Sequence, residues 1–199
     1  AGVTLIRYQF SCSGTPEQPG SAVPRLSYIA TDRFSTDWSS ELHTHGCAEL
    51  FFILDGHGYF RTLYEEFPIS VQDLLIVNAN VPHTEVSSMK SPLRYIVLGV
   101  EGLKAAASDE GHAMFHIYDG WTELNNCLEL MLQESSRTLP GHEEICGHLL
   151  KVVLIRLERQ QDLSFSGEIT GPRASKECAF IRRYIDNHFK EDLTLDHLA

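Results

Sequence analysis

The sequence predicts a mainly β protein that ends in α-helices, and two regularities support this fold class. Up to about residue 120, short runs of β-forming residues alternate with Gly, Pro, Asn and Ser. Such runs are typical of a β-sandwich or barrel. Beyond residue 120, apolar residues recur every three or four positions, which is the spacing of amphipathic helices. We therefore expect a β-rich unit at residues 1–120, followed by helices.

The β-rich part contains strand candidates at residues 49–54, 58–64, 74–77 and 93–100. The first of them is apolar at every position from Leu50 to Leu54. A strand with one face in water alternates between apolar and polar residues, so we expect both faces of this strand to be covered. Residues 1–25 carry three prolines among Ser and Gly, and they indicate an arm with little regular structure.

Two helices are predicted after residue 120. The first has apolar residues at Trp121, Leu124, Cys127, Leu128, Met131 and Leu132, and Pro140-Gly141 ends it. The second fits residues 143–160 and has a broad apolar arc. A helix that covers only its own barrel needs one apolar stripe. The surplus indicates either a homodimer contact that includes Leu150 and Leu154, or burial within a larger domain.

Composition narrows the classes of function. The five cysteines are scattered, odd in number and without a Cys-x-x-Cys pair, which favours reduced thiols in the cytoplasm. No run of about 18 apolar residues exists, so we expect no membrane span. Residues 170–199 hold equal numbers of acidic and basic side chains, so the net charge of −11 lies in residues 1–169. Because an acidic surface repels the phosphate backbone, that part is not expected to contact DNA.

Four residues suggest a metal centre. His43, His45 and Glu49 share parity, so on one extended strand their side chains project from one face. His83 follows the apolar run at residues 74–77 and can arrive from a neighbouring strand. Three imidazoles and a carboxylate suit a divalent metal such as zinc, nickel, iron or manganese, with open positions left for a ligand. Two alternatives stay open: the histidines contact a polar ligand without metal, or they are ordinary polar residues of a half-buried strand.

His43, His45, Glu49 and Gly56 together resemble the first motif of the cupin superfamily. In the second motif Gln72 stands where cupins usually carry Gly, and Asn80 lies where their Pro-x-Gly ends, but His83 follows at the expected place. Asn tolerates a left-handed backbone better than most residues, so Asn80 can make the same turn. The resemblance implies a small antiparallel β-barrel, a double-stranded β-helix, with the four ligands inside.

Further pocket residues follow from parity along the same segment. Cys47, Phe51 and Ile53 share the inward parity, and we interpret the last two as core packing. Tyr59 and Arg61 come after the turn at Gly56 and are candidates to stack on a bound ligand and to donate hydrogen bonds to it. The ligand-binding set is therefore predicted as His43, His45, Glu49, Tyr59, Arg61 and His83, with the histidines and Glu49 also as metal ligands.

The end of the chain carries a second resemblance. After a linker expected at residues 164–175, residues 176–199 predict a third helix and the first turn of a fourth, with Thr194 as its N-cap. Residues 181–199 resemble the opening of the DNA-binding domain of AraC-type transcription regulators. Those proteins join a cupin sensor, a helical dimerisation segment and a helix-turn-helix domain. The resemblance implies a sensor at 1–120, dimerisation helices at 121–163 and a truncated DNA-binding domain at 176–199.

The sequence thus favours the sensing and dimerisation region of a cytoplasmic AraC-type regulator, not an enzyme. The resemblance implies that a small polar effector, of which sugars are common examples in that family, binds in the barrel. The chain would pair as a homodimer and contact DNA only through the domain that follows. The alternative is a metal-dependent cupin enzyme, an oxygenase, isomerase or epimerase, because three histidines and a carboxylate also support Lewis-acid and oxygen chemistry.

Overall fold

The computed structural model describes residues 6–10, 23–33, 41–105, 111–161, 163 and 165–167. The strands are β1 (Ile6–Gln9), β2 (Arg25–Arg33), β3 (Ala48–Asp55), β4 (His57–Thr62), β5 (Glu66–Ser70), β6 (Asp73–Val77), β7 (His83–Ser87), β8 (Arg94–Glu101), β9 (Leu103–Ala105), β10 (His112–His116) and β11 (Phe165–Gly167). The helices are α1 (Trp121–Arg137) and α2 (His142–Gln161). The predicted fold class, mainly β with C-terminal helices, is confirmed.

The strands form antiparallel sheets of unequal size. A six-stranded sheet has the order β1-β2-β8-β3-β6-β10, and a three-stranded sheet has the order β5-β4-β7. A small two-stranded sheet pairs β11 with β9. In each pairing neighbouring strands run in opposite directions, as the cupin resemblance implied.

Strand β3 separates two apolar layers. Phe51 and Ile53 belong to a cluster between the two larger sheets, which also contains Tyr28, Phe60, Ile69, Leu75 and Tyr95, and we call this space the interior. Leu50 and Phe52 point the other way, into a core shared with both helices. The expectation that both faces of this strand are covered is therefore confirmed: one faces the interior and the other the helices.

The helices begin and end close to their predicted bounds. In α1, Leu124, Leu128 and Met131 are buried against the six-stranded sheet, and the chain turns at Pro140-Gly141 before α2 begins. In α2, however, Leu150 and Leu154 belong to this same core. Assigning them to a contact with a second subunit was wrong, because they face the barrel.

The N-terminal prediction needs one correction. Residues 6–9, expected in an irregular arm, form β1 and pair with β2 from Ile6 opposite Thr31 to Gln9 opposite Tyr28. Near the other end, Phe165–Gly167, inside the predicted linker, pairs with β9 as β11. The predicted third and fourth helices, and the rest of the linker, lie outside the described residues. Neither helix in the described part offers an apolar stretch able to cross a membrane.

Candidate metal centre

Three histidines converge on one point of the interior. His43 and His83 face each other in an isolated antiparallel bridge, with both N–H to O distances at 3.0 Å. The carbonyl oxygen of His45 accepts a hydrogen bond of 2.8 Å from the N–H of Asn80. Segment 43–45 is thus tied to segment 80–83, and one nitrogen from each histidine lies within 4.8 Å of the others. We call His43, His45 and His83 the histidine cluster.

The histidines meet for a different reason from the one predicted. Strand β3 begins only at Ala48, so His43 and His45 do not share a strand with Glu49. Their convergence comes from the bridge to His83 and not from parity along a single strand. The histidines do lie together, but the prediction of one extended strand was wrong.

The turns around the second motif adopt left-handed backbone at non-glycine residues. Asn80 has φ 65° and Gln72 has φ 71°. The prediction that Asn80 makes a glycine-like turn is confirmed, and Gln72 does the same ahead of β6. Left-handed backbone costs non-glycine residues free energy, and Asn less than most. The fold tolerates that cost at both sites, and His83 keeps its place.

The turn before His83 is also fixed from its other end. Asn78 donates from Nδ2 to the carbonyl of Ala105 at 3.2 Å, and its Oδ1 accepts from the N–H of Ala105 at 3.0 Å. The N–H of Asn78 donates to the carbonyl of Gly111 at 2.9 Å. The segment that carries His83 is therefore clamped to β9 by a side chain and to the residue before β10 by its backbone.

Glu49 lies beside the histidine cluster and is buried. Its Oε2 is 2.9 Å from Nε2 of His83, and its Oε1 is 3.7 Å from Nε2 of His45. The hydroxyl of Tyr28 donates a short hydrogen bond to the same Oε1. Tyr28 and Glu49 both lie opposite Gly99 of β8, so the tyrosine ring reaches the carboxylate across a residue without a side chain.

Backbone carbonyl groups orient two of the imidazoles through their Nδ1 atoms. Nδ1 of His83 donates to the carbonyl of Val81 at 2.8 Å, and Nδ1 of His43 donates to the carbonyl of Glu41 at 3.2 Å. A carbonyl can only accept, so these bonds fix the tautomer and leave each Nε2 as the atom able to bind a metal. Such backbone partners are common behind metal-binding histidines.

The charges in the centre are strongly coupled. Burial opposes the ionised form of Glu49, but the nearby positive charges of His45 and His83 outweigh it and lower the pKa of the carboxyl to about 2. Burial likewise opposes the charged form of His83, yet the Glu49 carboxylate raises its pKa to about 9. Burial and the charges of the other two histidines lower the pKa of His43 to about 4.

The donor set fits a divalent metal. Nε2 of His83 and Oε2 of Glu49 are buried and lie 2.9 Å apart, and neither makes a further hydrogen bond within the described residues. A cation that replaced the proton of His83 would be held by both atoms and by the other imidazoles. Nitrogen with carboxylate oxygen is a common ligand set for zinc, nickel, iron and manganese. The histidine cluster can therefore hold a metal ion.

The remaining predicted residues divide into two groups. Cys47, Phe51 and Ile53 face the interior as predicted. Burial, followed by the charge of Glu49, raises the pKa of the Cys47 thiol to about 12, so it stays protonated at neutral pH. A protonated thiol is a weak ligand and a weak nucleophile.

Tyr59 and Arg61 do not face the interior. Burial alternates along β4 so that Gly58, Phe60 and Thr62 are inside, whereas Tyr59 is 49% exposed and Arg61 forms an outer ion pair with Glu66. Their placement in the ligand pocket was wrong, because on β4 of the three-stranded sheet these two positions face outward.

Three interior residues were missed in the sequence. Tyr28 comes from β2, a strand not predicted, and Arg7 comes from β1. Glu85 of β7 pairs with Phe60 while His83 pairs with Thr62, so the buried Glu85 shares the face of His83. The signal for Glu85 was its position two residues after His83. The alternation of Tyr28 with Ala30 could have found β2, although a bulge at its start obscures the pattern.

A comparison with protein families matches residues 28–162 to the AraC-like ligand-binding domain. The matched segment runs from within β2 to the end of α2 and includes Glu49 and the histidine cluster. A search of curated proteins found no match to the chain.

Several solved structures resemble the fold. YhaK from Escherichia coli has 15% identity and TM-score 0.46, covering 57% of this chain and 51% of its own. A cupin superfamily protein from Desulfitobacterium hafniense has 15% identity and TM-score 0.37, with 49% and 77% covered. Apo ToxT from Vibrio cholerae has 8% identity and TM-score 0.46, with 100% and 69% covered. The chain spans about half the length of YhaK, and identities this low carry no information on ligand or activity.

Proposed function

Because the chain belongs to the family of AraC-like ligand-binding domains, we propose that it is the sensing and dimerisation region of an AraC-type transcription regulator. A small polar effector binds in the interior beside the histidine cluster. The observation that supports this most directly is the family match over 28–162, which spans all the residues of the candidate centre. In this proposal the protein is cytoplasmic, and it senses an effector without catalysing a reaction.

The proposed centre binds one divalent metal, either zinc, nickel, iron or manganese. His43, His45 and His83 would hold it, with Glu49 as a fourth ligand or as the acceptor that balances its charge. When bound, the metal supplies a Lewis-acid position that can take an oxygen atom of the effector. The backbone carbonyls behind His43 and His83 keep the two imidazoles aimed at that position.

The domain organisation in the proposal follows the sequence. We propose residues 1–120 as the sensor with its N-terminal segment, 121–163 as the dimerisation helices, 164–175 as the linker, of which Phe165–Gly167 forms β11, and 176–199 as part of a helix-turn-helix domain. DNA would be contacted only from that last domain, since the net charge of −11 lies before it.

Effector binding is expected to raise the melting temperature of the chain. A ligand that binds only the folded state stabilises it by about 2.7 kcal/mol at a hundredfold excess over its dissociation constant. A thermal-shift screen with sugars, sugar acids and small aromatic compounds would measure it. The shift should vanish in a Glu49→Ala, His83→Ala double variant and persist in an Arg61→Ala, Glu66→Ala variant, which removes an outer ion pair instead.

The same screen tests the alternative. The cluster of three histidines beside a carboxylate is also a ligand set for a metal-dependent cupin enzyme, an oxygenase, isomerase or epimerase. Product formed from any compound that gives a shift would replace the sensor proposal by this one. Shifts without turnover support the sensor, and a panel without any shift counts against it.

Dimerisation is proposed through the outer face of α2. Ile145, Val152 and Ile155 are 41%, 41% and 46% exposed, and their spacing puts them on one side of the helix. Leu150, Val153 and Leu157 occupy the opposite side and are buried. The broad apolar arc of α2 predicted from the sequence is therefore made of two apolar stripes, and one of them is buried within the subunit. We propose that a second copy of the chain covers the exposed stripe, since DNA-binding proteins commonly bind paired half-sites as dimers.

Val152→Glu is expected to convert a dimer into a monomer, because it puts a charge on the apolar stripe. Light scattering at tens of micromolar, roughly the range for moderate affinities, would report the mass. Leu130→Glu is the matched control, since this leucine of α1 is 41% exposed as well but lies off the stripe. A monomer for the unmodified chain, or a dimer that survives Val152→Glu, would contradict the proposal.

A further inference from the structure

Arg7 is a cationic side chain of the interior wall. It lies opposite Ala30 in the β1–β2 pairing, and Ala30 belongs to the interior cluster. Residues directly opposite each other in an antiparallel pair project from the same face, so Arg7 faces the interior too. Its guanidinium carbon lies 3.7 Å from the centre of the Tyr28 ring.

Tyr28 connects this guanidinium to the histidine cluster. Its ring stands with its centroid 6.2 Å from that of His45, and its hydroxyl donates to Glu49. A single aromatic ring therefore separates Arg7 from the candidate metal centre. A ligand that contacts both would have to span the Tyr28 ring.

The guanidinium of Arg7 has a buried hydrogen-bond donor that no described residue accepts from. Nε of Arg7 is buried and makes no hydrogen bond in the described part of the chain, and the described residues include no carboxylate paired with it. A buried donor left without a partner costs about 1–3 kcal/mol, so an acceptor supplied by a ligand would recover that cost. The planar fork of arginine matches the two oxygens of a carboxylate or phosphate.

The surrounding charges select between these two anions. Glu49 and Glu85 are buried in the same interior, and a metal at the histidine cluster would balance the charge of Glu49 while leaving that of Glu85. Glu85 would repel an anionic ligand, and a singly charged carboxylate meets less repulsion than a phosphate, which carries nearly two charges at neutral pH. One guanidinium near a buried glutamate thus favours a carboxylate.

We propose that the effector is a small carboxylic acid with a second oxygen donor, such as a hydroxy acid or sugar acid. Its carboxylate pairs with Arg7, and its second oxygen faces the histidine cluster. This inference rests on the proposed sensor function and narrows the effector from polar molecules in general to acids recognised at β1.

The test compares pairs of compounds that differ only in the carboxylate. L-Lactate and 1,2-propanediol form one pair, and galacturonate and galactose form the other. Titration calorimetry would measure their dissociation constants with the full chain loaded with nickel or zinc. In at least one pair the acid is expected to bind at least tenfold more tightly than its neutral counterpart.

Variants of Arg7 test whether this residue causes the tighter binding of the acids. Arg7→Gln should remove it, and Arg7→Lys should keep part of it because the charge remains without the fork. Metal content by elemental analysis should be unchanged in both variants, since Arg7 is not a ligand of the cluster. Arg25→Gln is the control, because Arg25 has an exposed side chain paired with Glu101 and should behave as the unmodified chain does.

Three outcomes would overturn the proposal. These are neutral compounds that bind as tightly as the acids, an acid preference that survives Arg7→Gln, or no binding by either member of both pairs. Binding of neutral compounds without turnover leaves the sensor function standing while removing the acid class. Failure of the proposed sensor function would be seen in a different result. Either the chain would convert a compound to product, or the thermal-shift screen would show no shift with any compound.

Discussion

His83→Ala is expected to lower the metal affinity of the chain by at least about a hundredfold. Loss of a partner behind a ligand already costs 10–100-fold in typical metal sites, and loss of the ligand itself should cost no less. His83 supplies one of the three imidazoles, and its Nε2 lies 2.9 Å from Glu49, so the substitution removes one ligand and the contact that holds a second. Elemental analysis and calorimetry with zinc, nickel, iron and manganese would measure the loss.

The metal affinity of the chain is expected to increase as the pH rises. The Glu49 carboxylate holds the pKa of His83 at about 9 in the metal-free chain, so His83 is protonated at pH 7. A metal must displace that proton, and affinity should rise with pH until about 9 and fall toward acid. His43, with a pKa of about 4, is already neutral at pH 7, so the proton released there comes from His83 and not from His43. Calorimetry in buffers of different ionisation enthalpy would count it.

A matched control separates this effect from general loss of histidine. His148→Ala removes an exposed histidine on α2, far from the cluster in the fold, and should leave metal content unchanged. Equal affinity in the unmodified chain and His83→Ala would contradict the assignment, as would an unmodified chain that takes up none of the four metals.

Gly99→Ala is expected to destabilise the fold by about 2–3 kcal/mol, in the upper range for an overfilled core. A Cβ at this position would lie 2.2 Å from Cε1 and 2.5 Å from Cζ of Tyr28. The ring would have to leave its place over β8, and its hydrogen bond to Glu49 would be lost with it. Chemical denaturation would measure the free energy of unfolding, and metal affinity should fall in the same variant.

Gly147→Ala should act in the opposite direction. Gly147 lies inside α2, and a Cβ there meets nothing within 4 Å. Alanine in a helix interior is more stable than glycine by roughly 0.5–1 kcal/mol, so this variant should be neutral or slightly stabilised. If both alanine variants changed stability equally, Gly99 would not be fixing the position of Tyr28.

The sequence predicted best where one strand or helix explains the pattern. The apolar run at Leu50 to Leu54 correctly indicated a strand covered on both faces, because each parity meets its own core. The two helices were found for the same reason: their burial follows a single period. The convergence of the three histidines followed the motif because its spacing survives changes around it, at Gln72 and Asn80, whereas their role as metal ligands stays a prediction.

It predicted poorly where two segments must meet. Parity cannot say that His43 bridges His83, since this depends on pairing between residues forty positions apart. Nor can parity be continued past Gly56, where the chain leaves one sheet for the other and Tyr59 turns outward. Arg7 was missed because a four-residue edge strand has too few positions to display a period.

The hydrogen bonds between Asn78 and Ala105 connect the candidate metal centre to the chain that follows α2. The turn with His83 is fixed to β9 through this asparagine, and β9 pairs with β11, the strand that follows α2. Ala105 is also the residue that pairs with Phe165, so the turn before His83 and Phe165–Gly167 are connected through one residue of β9 and not through either helix. In the proposed regulator, a shift of His83 on ligand binding would therefore reach the chain beyond α2 by this route, and Asn78→Ala would interrupt it.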